Sequence, residues 1–293
     1  MTDGSRWRGY AMVVAAAVCW GIMANVAKLL FRDRGVDPLI LVVIRADLAA
    51  LTLLATLAVV RPALLRIGRQ DALAVIAVGL GGLAINNYFY FQALHLTSVA
   101  TAILLQYQAP ILVALYTVLV QRQRLPGRLL LALAVAVVGC VLVVRAYDLA
   151  ALRLNLLGVA AGLATACAFA FYILASQAAL KTLDAWTLLT YAYLSAGVVW
   201  SFVLPPWKIV AHGFEPATWG AFLAVATIGT VLPFGLFISG LRFLPPTQAS
   251  IVSMLEPVVA SLAAYAILGE TLLPLQVLGG ALVLAGVLVV QTT

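Results

Sequence analysis

The chain has 293 residues, of which 65% are hydrophobic and 9% charged, with a formal net charge of +7. A soluble domain carries about 25% charged residues, so a water-soluble fold is excluded and the chain reads as an integral membrane protein. Its apolar runs are about 20 residues long without strict alternation, which excludes an outer-membrane barrel, and most of its Lys and Arg sit between the runs, where they read as topology signals rather than as a nucleic-acid surface.

The N-terminal MTDGSRWRG leads into the first apolar run with no clear small-residue cleavage site, and this run reads as a spanning helix, not a removed signal. Ten segments of spanning length follow in order, at approximately 9–31, 38–60, 72–93, 98–120, 128–145, 156–180, 185–205, 217–240, 248–268 and 274–291. The joints between them are short and carry breakers or charge, such as RDRGVDP, QRQRLPGR and KTLDA, so no soluble domain is expected. Cys19, Cys140 and Cys167 all fall inside apolar runs without metal-ligand or CxxC spacing, and packing is their expected role. No metal site is expected.

The stretch Tyr90–Leu125 reappears as Phe237–Leu272. A shift of 147 positions lays Leu94 on Leu241, Ala102 on Ala249, Pro110 on Pro257, Leu125 on Leu272 and Gly139 on Gly286, with no gap. The chain is therefore one unit written twice, over 1–147 and 148–293. Five helices per half is an odd number, so the second copy enters the membrane in the opposite sense, an arrangement typical of transporters. The expected fold is an all-α membrane protein of ten transmembrane helices, two inverted five-helix repeats, with both termini cytoplasmic. Charge agrees at most of the matched turns: the turn after the fourth segment has Arg122, Arg124 and Arg128, whereas its copy after the ninth has Glu270 and no Lys or Arg; the pair RDRGVD and KTLDA runs the other way.

Trp20-Gly21 followed by Lys28, Arg45-Ala46 in the second segment, AL…TSVATAILL…P over Ala93–Pro110 and LGE over Leu268–Glu270 together resemble the drug/metabolite transporters of the EamA type. The resemblance covers both halves and rests on order, spacing and duplication rather than on any single motif. Gln123 departs from it, standing where the first-half copy often has Glu. The resemblance implies a multi-pass protein of the bacterial inner (cytoplasmic) membrane, with the lipid bilayer as its surroundings. It also implies export of small organic molecules, and its amino-acid exporters point to hydrophobic or aromatic amino acids.

Ionisable groups inside a span need a partner or a wet space. Arg45 is expected to snorkel outward or to cap backbone carbonyls, and Asp47 to find a partner on a neighbouring helix. Lys28 either snorkels or meets a substrate carboxylate. Glu256 is either a proton carrier or an acid hydrogen-bonded beside Pro257; its first-half counterpart is Ala109. Same-face stripes run through the third segment (Gly79, Gly82, Asn86, Tyr90), the fourth (Ser98, Thr101, Gln108), the sixth (Gly158, Gly162, Thr165, Phe169, Tyr172, Ser176) and the ninth (Ser250, Ser253, Pro257). Such stripes serve either close packing or a wet lumen. The expected substrate-binding set is Trp20, Asn25, Lys28, Asn86, Tyr90, Tyr107, Gln108, Tyr172 and Ser253. Pro110, Pro233 and Pro257 interrupt apolar runs and are the expected hinges. The fifth and tenth segments, almost wholly aliphatic apart from Gly139 and Gly286, are expected to be scaffold.

No Walker A sequence is present, so ATP hydrolysis is not expected. His95 and His212 are the only histidines and both fall in turns, so no catalytic constellation is expected and the chain does not read as an enzyme. No cofactor is expected. The reading is a secondary transporter working by alternating access on a small-molecule substrate, with protons as a candidate second partner. A passive channel or facilitator, and a proton-coupled drug or nucleoside exporter, stand as alternatives.

Overall fold

The computed structural model describes residues 3–97, 99–148, 155–269 and 271–292, and among these residues the chain is helical throughout. Ser98 and Glu270, singled out above, lie outside the described residues. Ten long helical elements follow one another: α1 is Asp3–Arg34, α2 Pro38–Val60, α5 Gly127–Val143, α6 Leu156–Ala179, α7 Ala185–Val203 and α10 Pro274–Gln291. The other four are composite. In α3, Arg69–Ile76 passes through a π-helical turn, Ala77–Ala84, into Ile85–Leu96, and in α8, Pro216–Ala226 passes through Thr227–Val231 into Leu232–Gly240. In α4, Val99–Gln106 is followed by Ala109–Leu119, and in α9, Pro246–Ser253 is followed by Leu255–Leu268. Among the described residues nine helices are long and apolar enough to cross a membrane; α5, at 17 residues, is shorter.

Local chemistry sets the helix ends. Asp37 accepts from Leu39 N at 2.7 Å with Pro38 in the first turn of α2. Asn155 accepts from Leu157 N and Gly158 N at the start of α6, and Asp184 from Trp186 N at the start of α7. Gly269, at φ 68°, ends α9 in the left-handed conformation that only glycine adopts without strain.

The duplication reaches into the irregularities. The π turn of α8 begins at Thr227, 147 positions after Leu80 in the π turn of α3. The helical break at Met254 in α9 lies 147 positions after the break at Tyr107 in α4. Both breaks fall three residues before a repeated proline, Pro110 or Pro257, whose missing N–H and bulky ring disturb the preceding turn. Pairing follows the same rule. Packing of α1 on α8 and α9 is mirrored by α6 on α3 and α4, while α2 pairs with α7 and α5 with α10.

The α5–α10 pair behaves as scaffold. A Cβ on Gly139 would lie 2.7 Å from Gly279 O, and one on Gly279 would lie 2.7 Å from Gly139 O. The two backbones touch because neither carries a side chain there. Gly139→Val is expected to separate them and lower the thermal midpoint in detergent, at a cost of about 1–3 kcal/mol for an overpacked contact.

Candidate functional site

A cavity of about 460 Å³ lies between the two halves. Its floor and walls come from α1 (Trp20, Asn25), α2 (Arg45), α3 (Asn86, Asn87, Tyr90), α4 (Tyr107), α6 (Phe169), α8 (Phe234) and α9 (Glu256, Pro257). Its mouth lies where α1 and α5 end and α10 begins, at the exposed Lys28, Arg145 and Thr271. The opposite end is shut. Tyr10 OH donates to Gln248 Oε1 at 2.9 Å and reaches Val290 O at 3.0 Å, the Thr117 and Thr247 hydroxyls meet at 3.4 Å, and Arg242 pairs with Asp184 at 3.1 Å.

Gly21 and Asn25 join α1 to α9 along one wall. A Cβ on Gly21 would lie 2.8 Å from both Glu256 O and Ala260 N, so only glycine permits this approach. One turn later, Asn25 Nδ2 donates to Gly21 O at 3.1 Å and to Ala260 O at 3.0 Å. Glu256 therefore stands on a turn of α9 that α1 directly supports. Tyr107, at the break in α4, donates to Glu256 Oε2 at 2.6 Å and lies 3.3 Å from Ser253 O. The hydrogen bond crosses from the first half of the chain to the second.

Arg45 does not snorkel outward. Its side chain lines the cavity, and Nη2 donates to Asn87 Oδ1 at 2.6 Å. The reason is the partner: a carboxamide on α3 presents an acceptor on the cavity side. Asp47, two positions on, faces α7 and accepts from Ser201 Oγ at 3.2 Å, the neighbouring-helix partner expected of it. Trp20 Nε1 and Asn86 Oδ1 are buried with no hydrogen-bond partner among the described residues, a donor and an acceptor left over in the cavity lining.

Of the expected substrate-binding set, Trp20, Asn25, Lys28, Asn86, Tyr90 and Tyr107 line this cavity together, and so do Glu256 and Pro257. Gln108, Tyr172 and Ser253 do not. Gln108 Nε2 turns back to Leu104 O at 3.0 Å, and Ser253 Oγ to Ser250 O at 2.7 Å. Tyr172 is wholly buried behind the wall, stacked with Phe169 at 6.1 Å and edge-on to Phe234 at 5.8 Å. Pro110 and Pro233 are buried in their helices away from the cavity lining. Asn87 and Phe234 are not among the residues the sequence singles out. The doublet Asn86-Asn87 inside an apolar run is the signal for the first. Phe234 has none beyond its place next to Pro233; it lies edge-on to Trp20 at 4.9 Å.

Apolar helices of spanning length around a cavity of aromatic and polar walls, open at one end and shut at the other, define the chain as a multi-pass membrane transporter. The model of the EamA-like transporter family matches it twice, over residues 7–145 and 156–292, and the chain belongs to that family. Over 286 residues it is 31% identical to an uncharacterized transporter of Archaeoglobus fulgidus, covering 96% of this chain and 95% of that one. It is 26% identical to the uncharacterized inner membrane transporter YicL of Salmonella typhimurium, covering 98% and 96%. It is 28% identical to the threonine/homoserine exporter RhtA of Escherichia coli K12, covering 80% and 77%. One solved crystal structure superposes with a TM-score of 0.80 at 19% identity, covering 99% of this chain and 96% of that one, which bears on the fold alone.

Proposed function

We propose that the chain is a secondary transporter that exports small organic metabolites by alternating access, and that hydrophobic or aromatic amino acids are its substrates. The observation that carries this reading is the cavity itself, walled by Trp20, Tyr90, Phe169 and Phe234 with charged and amide groups between them, and closed at one end only. Aromatic walls suit an apolar body, and the polar groups suit a charged or hydrogen-bonding head. The exporter RhtA among the relatives supports an amino acid over a drug or nucleoside.

In this reading the halves 1–147 and 148–293 are inverted repeats, all ten helices cross the membrane and both termini are cytoplasmic, in the inner membrane of a bacterium. The cavity mouth then faces outward, and the contacts around Tyr10, Thr117 and Arg242 form the inner closure. Matched breaks before Pro110 and Pro257 are the hinges, with Pro233 a third below the π turn of α8. Trp20, Asn25, Asn86, Tyr90 and Tyr107 contact the solute. Lys28, at the mouth, meets it first. Gln108, Tyr172 and Ser253 shape the wall from behind. Glu256 carries the coupled proton.

Counterflow in liposomes tests the reading. The purified chain is expected to give saturable exchange of labelled phenylalanine, leucine or threonine. Flux that rises without saturation would favour a channel. Cysteines placed near Arg124 and Glu270 are expected to label from opposite sides of the membrane, and equal labelling from outside contradicts the inverted repeat.

A further inference from the structure

Two side chains of opposite charge face the cavity without touching. Arg45 enters from α2 and Glu256 from α9. They form no ion pair, although pairing is the usual resolution for opposite charges inside a membrane. Each is held by a neutral partner instead, Arg45 by Asn87 and Glu256 by Tyr107, both at 2.6 Å. A guanidinium has five N–H donors in a fixed fork. Among the described residues Arg45 uses one side of that fork on Asn87, and Glu256 Oε1 accepts nothing. Two separated charges, each with an unused hydrogen-bonding position, are the complement of a small molecule that carries both charges itself.

We propose that the space between Arg45 and Glu256 is a zwitterion site, in which Arg45 receives the carboxylate of an α-amino acid and Glu256 its ammonium. This rests on the carrier reading above and deepens it. The fork of Arg45 fits a carboxylate through two parallel hydrogen bonds. Asn87 fixes the guanidinium and leaves its other edge to the solute. Tyr107 occupies one oxygen of Glu256 and leaves the second to the ammonium. The apolar side chain then lies against Trp20, Phe169 and Phe234. Lys28, exposed at the mouth, has no part in the bound pose. An analogue lacking either charge leaves one buried pole unmatched, which a site of this kind rejects strongly.

The test is competition against counterflow of labelled phenylalanine by the full-length protein in liposomes. The competitors are phenylalanine, phenethylamine (no carboxylate) and 3-phenylpropionate (no ammonium). The wild type is expected to prefer phenylalanine over both by roughly ten-fold or more, the loss that accompanies one charge-assisted hydrogen bond. Arg45→Gln is expected to erase the preference over phenethylamine while retaining that over 3-phenylpropionate. Asn87→Asp, which neutralises Arg45 in place, is expected to do the same, and decides the matter if Arg45→Gln does not fold. An unchanged preference in the folded variants overturns the assignment. If other solutes exchange saturably while phenylalanine, leucine and threonine are refused, the zwitterion site falls and the carrier stands. If nothing exchanges saturably, the carrier reading falls first.

Discussion

Glu256→Gln is expected to abolish the response of transport to a proton gradient and to weaken solute binding. Glu256 is the acid in the cavity wall, in the second half of the chain, and it is tied to the first half by the 2.6 Å bond from Tyr107. Glutamine keeps the size and the acceptor for Tyr107 but can neither release a proton nor offer a negative pole. Gradient-driven accumulation should vanish, while exchange between equal concentrations survives with a half-saturating concentration raised about ten-fold or more, as loss of a charged hydrogen bond implies. Flux assays at several external pH values read both effects. Transport that keeps its pH dependence in Glu256→Gln removes Glu256 as proton carrier. Tyr107→Phe is the companion variant. It leaves the carboxylate in place, so proton dependence should persist while the contact between the halves is lost.

Gly21→Val is expected to be more damaging than any polar substitution in the cavity. The Cβ of any residue at 21 would lie 2.7 Å from Val259 Cβ and 2.8 Å from backbone atoms of Glu256 and Ala260, and backbone cannot step aside. α1 must therefore move off α9, breaking the bond from Asn25 to Ala260 O and shifting the turn that carries Glu256. Overpacking of this kind costs about 1–3 kcal/mol, and here it also displaces two groups of the site. Transport should fall to background and the thermal midpoint should drop. Gly220→Ala is the control, since nothing lies within 4 Å of the added carbon. It should leave both measurements unchanged.

Much of this architecture is legible in the residues. Hydropathy and the punctuation around it place the helices, because Asp37-Pro38, Asn155 and Asp184 start α2, α6 and α7 where apolar runs begin. The duplication is legible because the repeat is ungapped over its clearest stretch. The π turns in α3 and α8 are not, since one extra residue per turn leaves no mark on an apolar run; only the cluster Gly79, Gly81, Gly82 hints at the first. Arg45 shows the harder limit. Whether an arginine in a span turns outward or inward depends on what faces it, and here that is Asn87, 42 positions further along. Tyr172 shows the converse. It shares a helix face with Phe169, yet Gly82 lets α3 approach within about van der Waals contact of its ring, so Tyr172 packs while Phe169 reaches the cavity. Same-face spacing identifies a stripe; the size of the opposing residue decides whether it is wet.

The proposed alternating access requires the closed end to open once per cycle. Thr117 on α4 and Thr247 on α9 meet there, their hydroxyls 3.4 Å apart and both side chains buried. Cysteines at these two positions, in a chain whose Cys19, Cys140 and Cys167 are replaced, put their sulfurs where the two hydroxyls now meet, and oxidation is expected to join the halves there. Counterflow of labelled amino acid should stop when that disulfide forms and return when it is reduced. Flux that continues at its full rate through a protein shown to carry the disulfide contradicts the account.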